Sequence, residues 1–304
     1  MDIKNLVKEH YEIGLITDIK KTTFGSGNTF IIETENEKYI AKVNNKANEI
    51  KIYNDIQKLV SLSGIKQPRV ILTKYKELIT PFGLVLYEYI NGETLAEFDD
   101  QTELKALNYM FKYNQELKKI HIEENEFQIE NDWDRIKSLD YVCNEVPKRI
   151  SDLNIEPKFK EELLSGISVL SKYKIFLDNM DKQIIHSDLG ADNFLVSNRE
   201  ICAIIDFSPE INNELYSLAH FTYWNYMWRA EKFEKKVING YLDNYYEQNN
   251  SKNHKQEFYL LLLQASIFRV LGPLFEISRS KSQDFSRLDK RMELMRWIKK
   301  ELIC

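Results

Sequence analysis

The chain has 304 residues, 43% hydrophobic and 12% aromatic, enough to bury a large core in one two-lobed unit or two small domains. A formal net charge of −5 argues against a nucleic-acid partner, because polyanion binding relies on clustered Lys and Arg. Its cysteines, Cys143, Cys202 and Cys304, are widely spaced and odd in number, which excludes a disulfide framework or zinc cluster and points to a reducing compartment.

The N-terminal residues carry acids and no apolar leader, and apolar runs such as Tyr259 to Leu263 fall far short of a membrane span. A cytoplasmic protein with no membrane partner is expected. Ile3 to Tyr11 has helical spacing. Ile16 to Phe24, Thr29 to Thr34 and Tyr39 to Val43 are rich in β-branched and aromatic residues and read as a meander, with G-S-G-N and E-N-E-K at its turns. In the first turn Gly25 and Gly27 permit close backbone approach, so the N–H groups of Gly25, Ser26 and Gly27 suit a phosphate cover; a plain hairpin turn needs the same residues. A helix follows from Lys46 to Ser61, with Ile50, Tyr53, Ile56, Leu59 and Val60 in one stripe and Glu49 in its first turns, where an acid suits the macrodipole.

Gly64 and Pro68 break the chain, and Val70 to Thr73 with Gly83 to Tyr87 complete a five-stranded sheet that leads into L-Y-E-Y-I-N-G. Beyond Thr94 the pattern is helical over Leu104 to His121, Lys158 to Leu177, Leu215 to Arg229, Lys232 to Asn249, Gln256 to Ile277 and Asp284 to Leu302. The polar stretch between Glu123 and Asp152, with Trp133 and Tyr141, reads as an insertion. The aromatic run Tyr223 to Trp228 reads as core, since aromatics at helical spacing usually pack.

The chemistry concentrates in Gln183 to Phe207. An apolar strand, Ile184 and Ile185, delivers the loop H-S-D-L-G-A-D-N, and a hairpin of Phe194 to Val196 with Ile201 to Ile205 ends on Asp206. The spacing H-x-D-x-x-x-x-N followed by D-F suits phosphoryl transfer, which needs an acceptor hydroxyl and a metal-bound triphosphate held together. Asp188 would take the hydroxyl proton, and Asn193 and Asp206 would hold the metal with oxygen ligands.

The loop resembles that of the aminoglycoside phosphotransferase and choline kinase superfamily. Within it, H-S-D-L-G-A-D-N-F-L-V, A-I-I-D-F-S-P-E and Y-S-L-A-H-F-T-Y-W are most similar to the hygromycin phosphotransferase branch, over Ile184 to Trp224. The resemblance implies an α+β, two-lobed, protein-kinase-like fold. Residues 1–90 would be a small antiparallel β lobe with one main helix that binds nucleotide, and 91–304 a larger helical lobe with the catalytic loop and acceptor site. It places Lys42 of Y-I-A-K-V on the α- and β-phosphates, with Glu49 holding that lysine. It sets the Glu88 carbonyl and Ile90 N–H against the purine, and Tyr87 as the gatekeeper whose bulk favours guanine. His186 would brace the loop, leaving proton transfer to Asp188. ATP or GTP and Mg2+ are the implied cofactors. Two departures stand out: Ser217, Leu218 and Ala219 replace a D-L-A motif, as the hygromycin branch also does, and no A-P-E segment of protein kinases follows Asp206.

These readings converge on an O-phosphotransferase that moves the γ-phosphate to a hydroxyl of an aminoglycoside-like antibiotic. A metabolite kinase acting on homoserine, choline or a sugar is the alternative. A nucleotide-binding pseudoenzyme is disfavoured because Lys42, Asp188, Asn193 and Asp206 are all present. A cationic acceptor needs carboxylates beside the catalytic groups. Glu210 and Glu214, just after Asp206, are the expected pair, with Asp284 and Asp289 as remoter options.

Overall fold

Asp2 starts the first helix, α1 (Ile3–His10), by accepting the Asn5 N–H at 3.2 Å, the side-chain cap that satisfies an orphan donor of the opening turn. The computed structural model describes residues 2–22, 28–44, 46–122, 127, 129, 131–228, 235–249, 254–280 and 286–303. The chain divides into two compact units. One comprises Met1–Leu95, Gln115–Gln128 and Asn193–Phe207; the other comprises Ala96–Asn114, Ile129–Asp192 and Ser208–Cys304.

In the first unit, β1 (Ile16–Lys21), β2 (Thr29–Thr34), β3 (Lys38–Val43), β4 (Val70–Ile71) and β5 (Leu84–Glu88) form an antiparallel sheet in the order β1-β2-β3-β5-β4. Strand alternation assigns its two faces. Tyr39 and Ala41 of β3 with Leu84 and Leu86 of β5 bury against Ile3 and Val7 of α1. Each fully buried aliphatic side chain there contributes about 1.5–3 kcal/mol. On the opposite face Val85 packs with Val70 and with Ile50 and Tyr53 of helix α2 (Ala47–Leu62). Lys42 is the cross-strand partner of Val85, so its side chain leaves the sheet on the α2 face.

A second sheet in this unit pairs β6 (Glu93–Thr94) with β8 (Phe194–Ser197) and β8 with β9 (Glu200–Ile204). Asn198 and Arg199, both with positive φ, make the tight connection between β8 and β9. Gly92 is required by close approach: a Cβ there would lie 3.0 Å from Cys202 Sγ and 3.1 Å from Leu195 Cβ. The Ile204 N–H donates to the Lys66 carbonyl, and Phe207 packs on Tyr53, so the segment that carries Asp206 belongs to the first unit.

The helices of the second unit pack around α11 (Lys255–Ser280), whose neighbours are α7 (Pro157–Lys172), α9 (Glu214–Trp228) and α12 (Ser286–Ile303). By length and composition α11 passes for a membrane span, but 94% of its apolar window is buried inside the protein, as in a core helix. Gly166 lets α7 approach closely, since a Cβ there would sit 2.9 Å from Met295 Sδ and 3.3 Å from Ile267 Cδ1. The remaining elements are α3 (Asp100–Leu117), α4 (Asp132–Arg135), α5 (Leu139–Asn144), α6 (Val146–Asp152), α8 (Lys174–Asp178), α10 (Lys235–Asn249), β7 (Gln183–His186) and β10 (Pro209–Asn212).

Three details differ from the sequence pattern. The helix expected over Lys158 to Leu177 is two, α7 and α8, interrupted at Tyr173. The segment after Asp206 forms strand β10, which pairs antiparallel with β7 and sets Glu210 opposite Ile185. The polar stretch before α5 is pinned to α11. Arg149 grips Asp132 at 2.9 and 3.1 Å, and Trp133 Nε1 donates to Glu276 at 2.8 Å while its ring lies edge-on to Phe268. Arg149, with Arg279 adding to it, holds the Asp132 carboxyl below the usual carboxylate range.

Candidate active site

Each unit carries one group of the expected residues. In the first, Lys42 Nζ donates to Asp206 Oδ1 at 2.7 Å, joining β3 to the segment that follows β9. Asp206 has φ of +53°, a left-handed conformation that Asp tolerates better than most residues. Asn193, buried at the end of a single 3₁₀ turn (Ala191–Asn193), accepts the Ile205 N–H on its carbonyl at 2.9 Å. That bond ties the backbone of Asn193 to the residue preceding Asp206. A carboxylate and an amide oxygen held on neighbouring backbone are hard donors of the kind that share Mg2+ with phosphate and water, so the residues present fit the metal.

The expected Glu49–Lys42 pair is not formed. Glu49 accepts instead from Lys46 Nζ at 3.1 Å, one helical turn away, while Lys42 reaches Asp206. The i,i+3 spacing at the start of α2 gives Glu49 a closer cation than the one on β3. Tyr87 lies on the α2 face of β5, with its ring edge-on to Tyr53 at 5.5 Å. Burial, with the Asp206 charge adding to it, raises its hydroxyl pKa. Glu88 ends β5, its N–H bonded to the Arg69 carbonyl, and Ile90 follows outside the ladder. Gly25, Ser26 and Gly27 lie outside the described residues, as does Asp284.

In the second unit, His186 is fully buried at the end of β7, and its Nδ1 accepts the N–H of Asp188 at 3.1 Å and of Ser208 at 3.4 Å. A histidine whose lone pair is used in this way braces backbone. Gly190 lies against the Trp224 ring, and a Cβ there would displace the exposed Asp192 carboxylate. Asp188 Oδ1 accepts from Trp224 Nε1 at 2.9 Å and from Arg269 Nη2 at 2.8 Å. The same Nη2 also donates to the Ser187 carbonyl at 2.7 Å and lies 3.3 Å from His220 Nδ1.

Neither Trp224 nor Arg269 stands out from motif spacing, because they lie 36 and 81 residues beyond Asp188. Trp224 reads as core within its aromatic run. Arg269 had one available signal, a cation inside the apolar stretch F-Y-L-L-L-L-Q-A-S-I-F-R-V-L-G.

The acids expected at the acceptor rim are placed otherwise. Glu210 is only 6% exposed, with Oε1 accepting from Asn212 Nδ2 at 3.0 Å; burial pushes its carboxyl up, against the pull of Lys137. The pairing of β10 with β7 puts it there. Glu214 accepts a hydrogen bond from the Tyr245 hydroxyl, whose own pKa is raised chiefly by burial. Glu210 is therefore turned inward, with Oε2 lacking a hydrogen-bond partner among the described residues, and Glu214 is bonded to Tyr245.

The model of the phosphotransferase enzyme family matches residues 18–245. Choline kinase LicA from Streptococcus pneumoniae has a similar structure, with a TM-score of 0.67 at 14% identity, covering 98% of each chain. Amicoumacin kinase hAmiN, in complex with AMP-PNP, Ca2+ and Ami, gives 0.65 at 14% identity over 99% of this chain and 94% of that one. A thermostable mutant of aminoglycoside phosphotransferase APH(4)-Ia, in its apo form, gives 0.68 at 13% identity over 98% of each chain. No curated protein sequence matches significantly. At these identities the solved structures speak for the α+β kinase-like fold, and the family model, spanning most of the chain, shows that this protein belongs to the phosphotransferase enzyme family.

Proposed function

We propose that the protein transfers the γ-phosphoryl group of ATP or GTP to a hydroxyl of a small molecule. The observation that carries this reading is the ion pair of Lys42 and Asp206, residues 164 positions apart whose expected partners are the nucleotide phosphates and the metal. Asp188 receives the hydroxyl proton as the acceptor oxygen bonds to phosphorus and the bond from phosphorus to the β–γ bridging oxygen breaks. A carboxylate suffices, since phosphoryl transfer demands positioning more than base strength. Asn193 and Asp206 would hold Mg2+, which when bound neutralises charge on the phosphates. Lys42 orients the α- and β-phosphates, Glu88 and Ile90 offer backbone groups to the base, and Gly25, Ser26 and Gly27 cover the phosphates. Glu49 supports Lys42 only if it exchanges its bond to Lys46.

The internal commitment of Glu210 and Glu214 favours a second reading of the acceptor, a hydroxylated metabolite with few ammonium groups, over an aminoglycoside-like antibiotic. The names of the similar structures span both, a choline kinase and an aminoglycoside phosphotransferase, and so do not single out the hygromycin branch. Radiolabelled ATP and GTP with a panel of aminoglycosides, choline, homoserine and sugars test the reading. Labelled product is expected from at least one alcohol, and Asp188→Asn should lower its formation by about 10²- to 10⁴-fold while nucleotide binding is kept. Turnover near wild type in that variant removes Asp188 from the chemistry.

A further inference from the structure

We propose that Arg269 is a positioning residue for Asp188; the inference rests on the phosphotransfer reading above. Arg269 sits in α11 among the buried side chains of Ile267, Val270, Leu271 and Leu274 and is itself only 8% exposed. A guanidinium stripped of water is costly unless its charge and donors are met. Here the catalytic loop meets the charge and one nitrogen, Nη2, while Nε has no hydrogen-bond partner among the described residues.

One nitrogen, Nη2, donates to the Ser187 carbonyl at 2.7 Å and to Asp188 Oδ1 at 2.8 Å, so it holds the main chain and the side chain of adjacent residues together. The guanidinium lies 4.7 Å from the centroid of the Trp224 ring, and Trp224 Nε1 donates to the same Oδ1 at 2.9 Å. Arg269, Trp224 and Asp188 thus form a closed triangle in which each side chain touches the other two. His220 lies beside it: burial, with Arg269 adding to it, keeps its pKa well below the ordinary histidine value, and its Nδ1 stands 3.3 Å from Nη2.

A counter-charge alone needs only proximity to Asp188. The triangle does more, because two donors on one carboxylate oxygen and a stacked ring fix the plane of the carboxyl group. Proton acceptance depends on that plane, and misplacement of a catalytic group by about 1 Å can cost about 10²-fold in rate. Lysine keeps the charge but lacks the planar, multi-donor head.

The test uses the full chain with Arg269→Lys and Arg269→Met, each alone and combined with Asp188→Asn. Phosphate release from magnesium ATP and magnesium GTP, with water and with the acceptor panel, gives the rates. In protein labelled with 5-fluorotryptophan, the ¹⁹F resonance of Trp224, assigned with Trp224→Phe, reads the triangle without turnover. Arg269→Lys is expected to lower kcat about ten-fold or more and leave the nucleotide KM within about two-fold, with Arg269→Met lower still. In the Asp188→Asn background either substitution should change the residual rate by less than about two-fold, because the residue acts through Asp188. The Trp224 resonance should move in Arg269→Lys and in Asp188→Asn.

Equal loss of rate with and without Asp188, or a nucleotide KM that rises with the fall in kcat, overturns the proposal. So does an Arg269→Lys protein with unchanged kcat and an unmoved resonance. If Arg269→Met does not fold, the lysine variant decides by the same comparison. A wild-type protein inert toward every nucleotide and acceptor would overturn the phosphotransfer reading and this proposal with it. Labelled product from wild type with additive effects in the double variants would overturn the positioning role alone.

Discussion

Lys42 and Asp206 are 164 residues apart in sequence and 2.7 Å apart in space. Their side chains are 29% and 58% exposed, so the pair is solvated and its own contribution to stability is about 0–1 kcal/mol. The pair therefore adds little to the stability of the fold. Lys42→Met is expected to lower turnover about 10²-fold or more while moving the thermal midpoint by no more than a few degrees. Calorimetry and the labelled-nucleotide assay on one preparation check both. A large fall in the midpoint would make the pair structural.

Tyr87 rests edge-on against Tyr53 on the helix-facing side of the sheet. Under the proposed function its bulk should give GTP use at least equal to ATP use, and Tyr87→Met should shift the ratio of kcat/KM values toward ATP. The same substitution loses an aromatic pair worth about 0.5–1.5 kcal/mol beyond its area. Competition between the two nucleotides in one reaction measures the ratio. An ATP preference that the substitution leaves alone rules out the gatekeeper role.

Glu210 links folding to pH. Burial raises its folded pKa above the ordinary value of 4.5, so above that value the unfolded chain releases this proton first. Stability then falls as pH rises through the interval between the two pKa values. Glu210→Gln removes this dependence, so the stability of the variant relative to wild type should climb with pH across that interval. Thermal unfolding of both proteins over a pH series gives the difference, in which contributions they share, such as that of His220, cancel. A flat difference would show that Glu210 does not change its protonation on unfolding.

Gly272 lies under the Trp133 indole, where a Cβ would overlap the six-membered ring. Alanine in a helix interior gains about 1 kcal/mol over glycine, but overpacking costs about 1–3 kcal/mol, so Gly272→Ala should be destabilising on balance. It should also break the bond from Trp133 Nε1 to Glu276. Denaturant unfolding supplies the magnitude. In the Trp133→Ala background, Gly272→Ala should cease to destabilise, and a cost that persists there would place the strain elsewhere.

The parts of this molecule written in short-range pattern were legible in its sequence. Enrichment in β-branched and aromatic residues marks β1 to β3, and the spacing from His186 to Asp206 marks a loop followed by a hairpin. What stayed hidden depends on pairing across sequence. Glu210 looks like a rim acid until β10 pairs with β7 and turns it inward, and nothing local to Pro209 announces that pairing. Glu49 falls where a kinase-like pattern needs an acid, yet Lys46 is the cation it meets. Trp224 and Arg269 belong to helices whose apolar faces follow the core, so their polar ends go unnoticed until Asp188 is seen between them.

The left-handed backbone of Asp206 narrows what can stand at that position. Glutamate carries the same charge, but its longer side chain has no local hydrogen bond to offset a positive φ; asparagine and glycine accept the backbone and surrender the anion. Of the two anionic amino acids, aspartate adopts that turn of the chain at the lower cost. A library randomised at this codon and selected for phosphotransfer should return aspartate well ahead of glutamate, whereas selection for folding alone should enrich asparagine and glycine beside it.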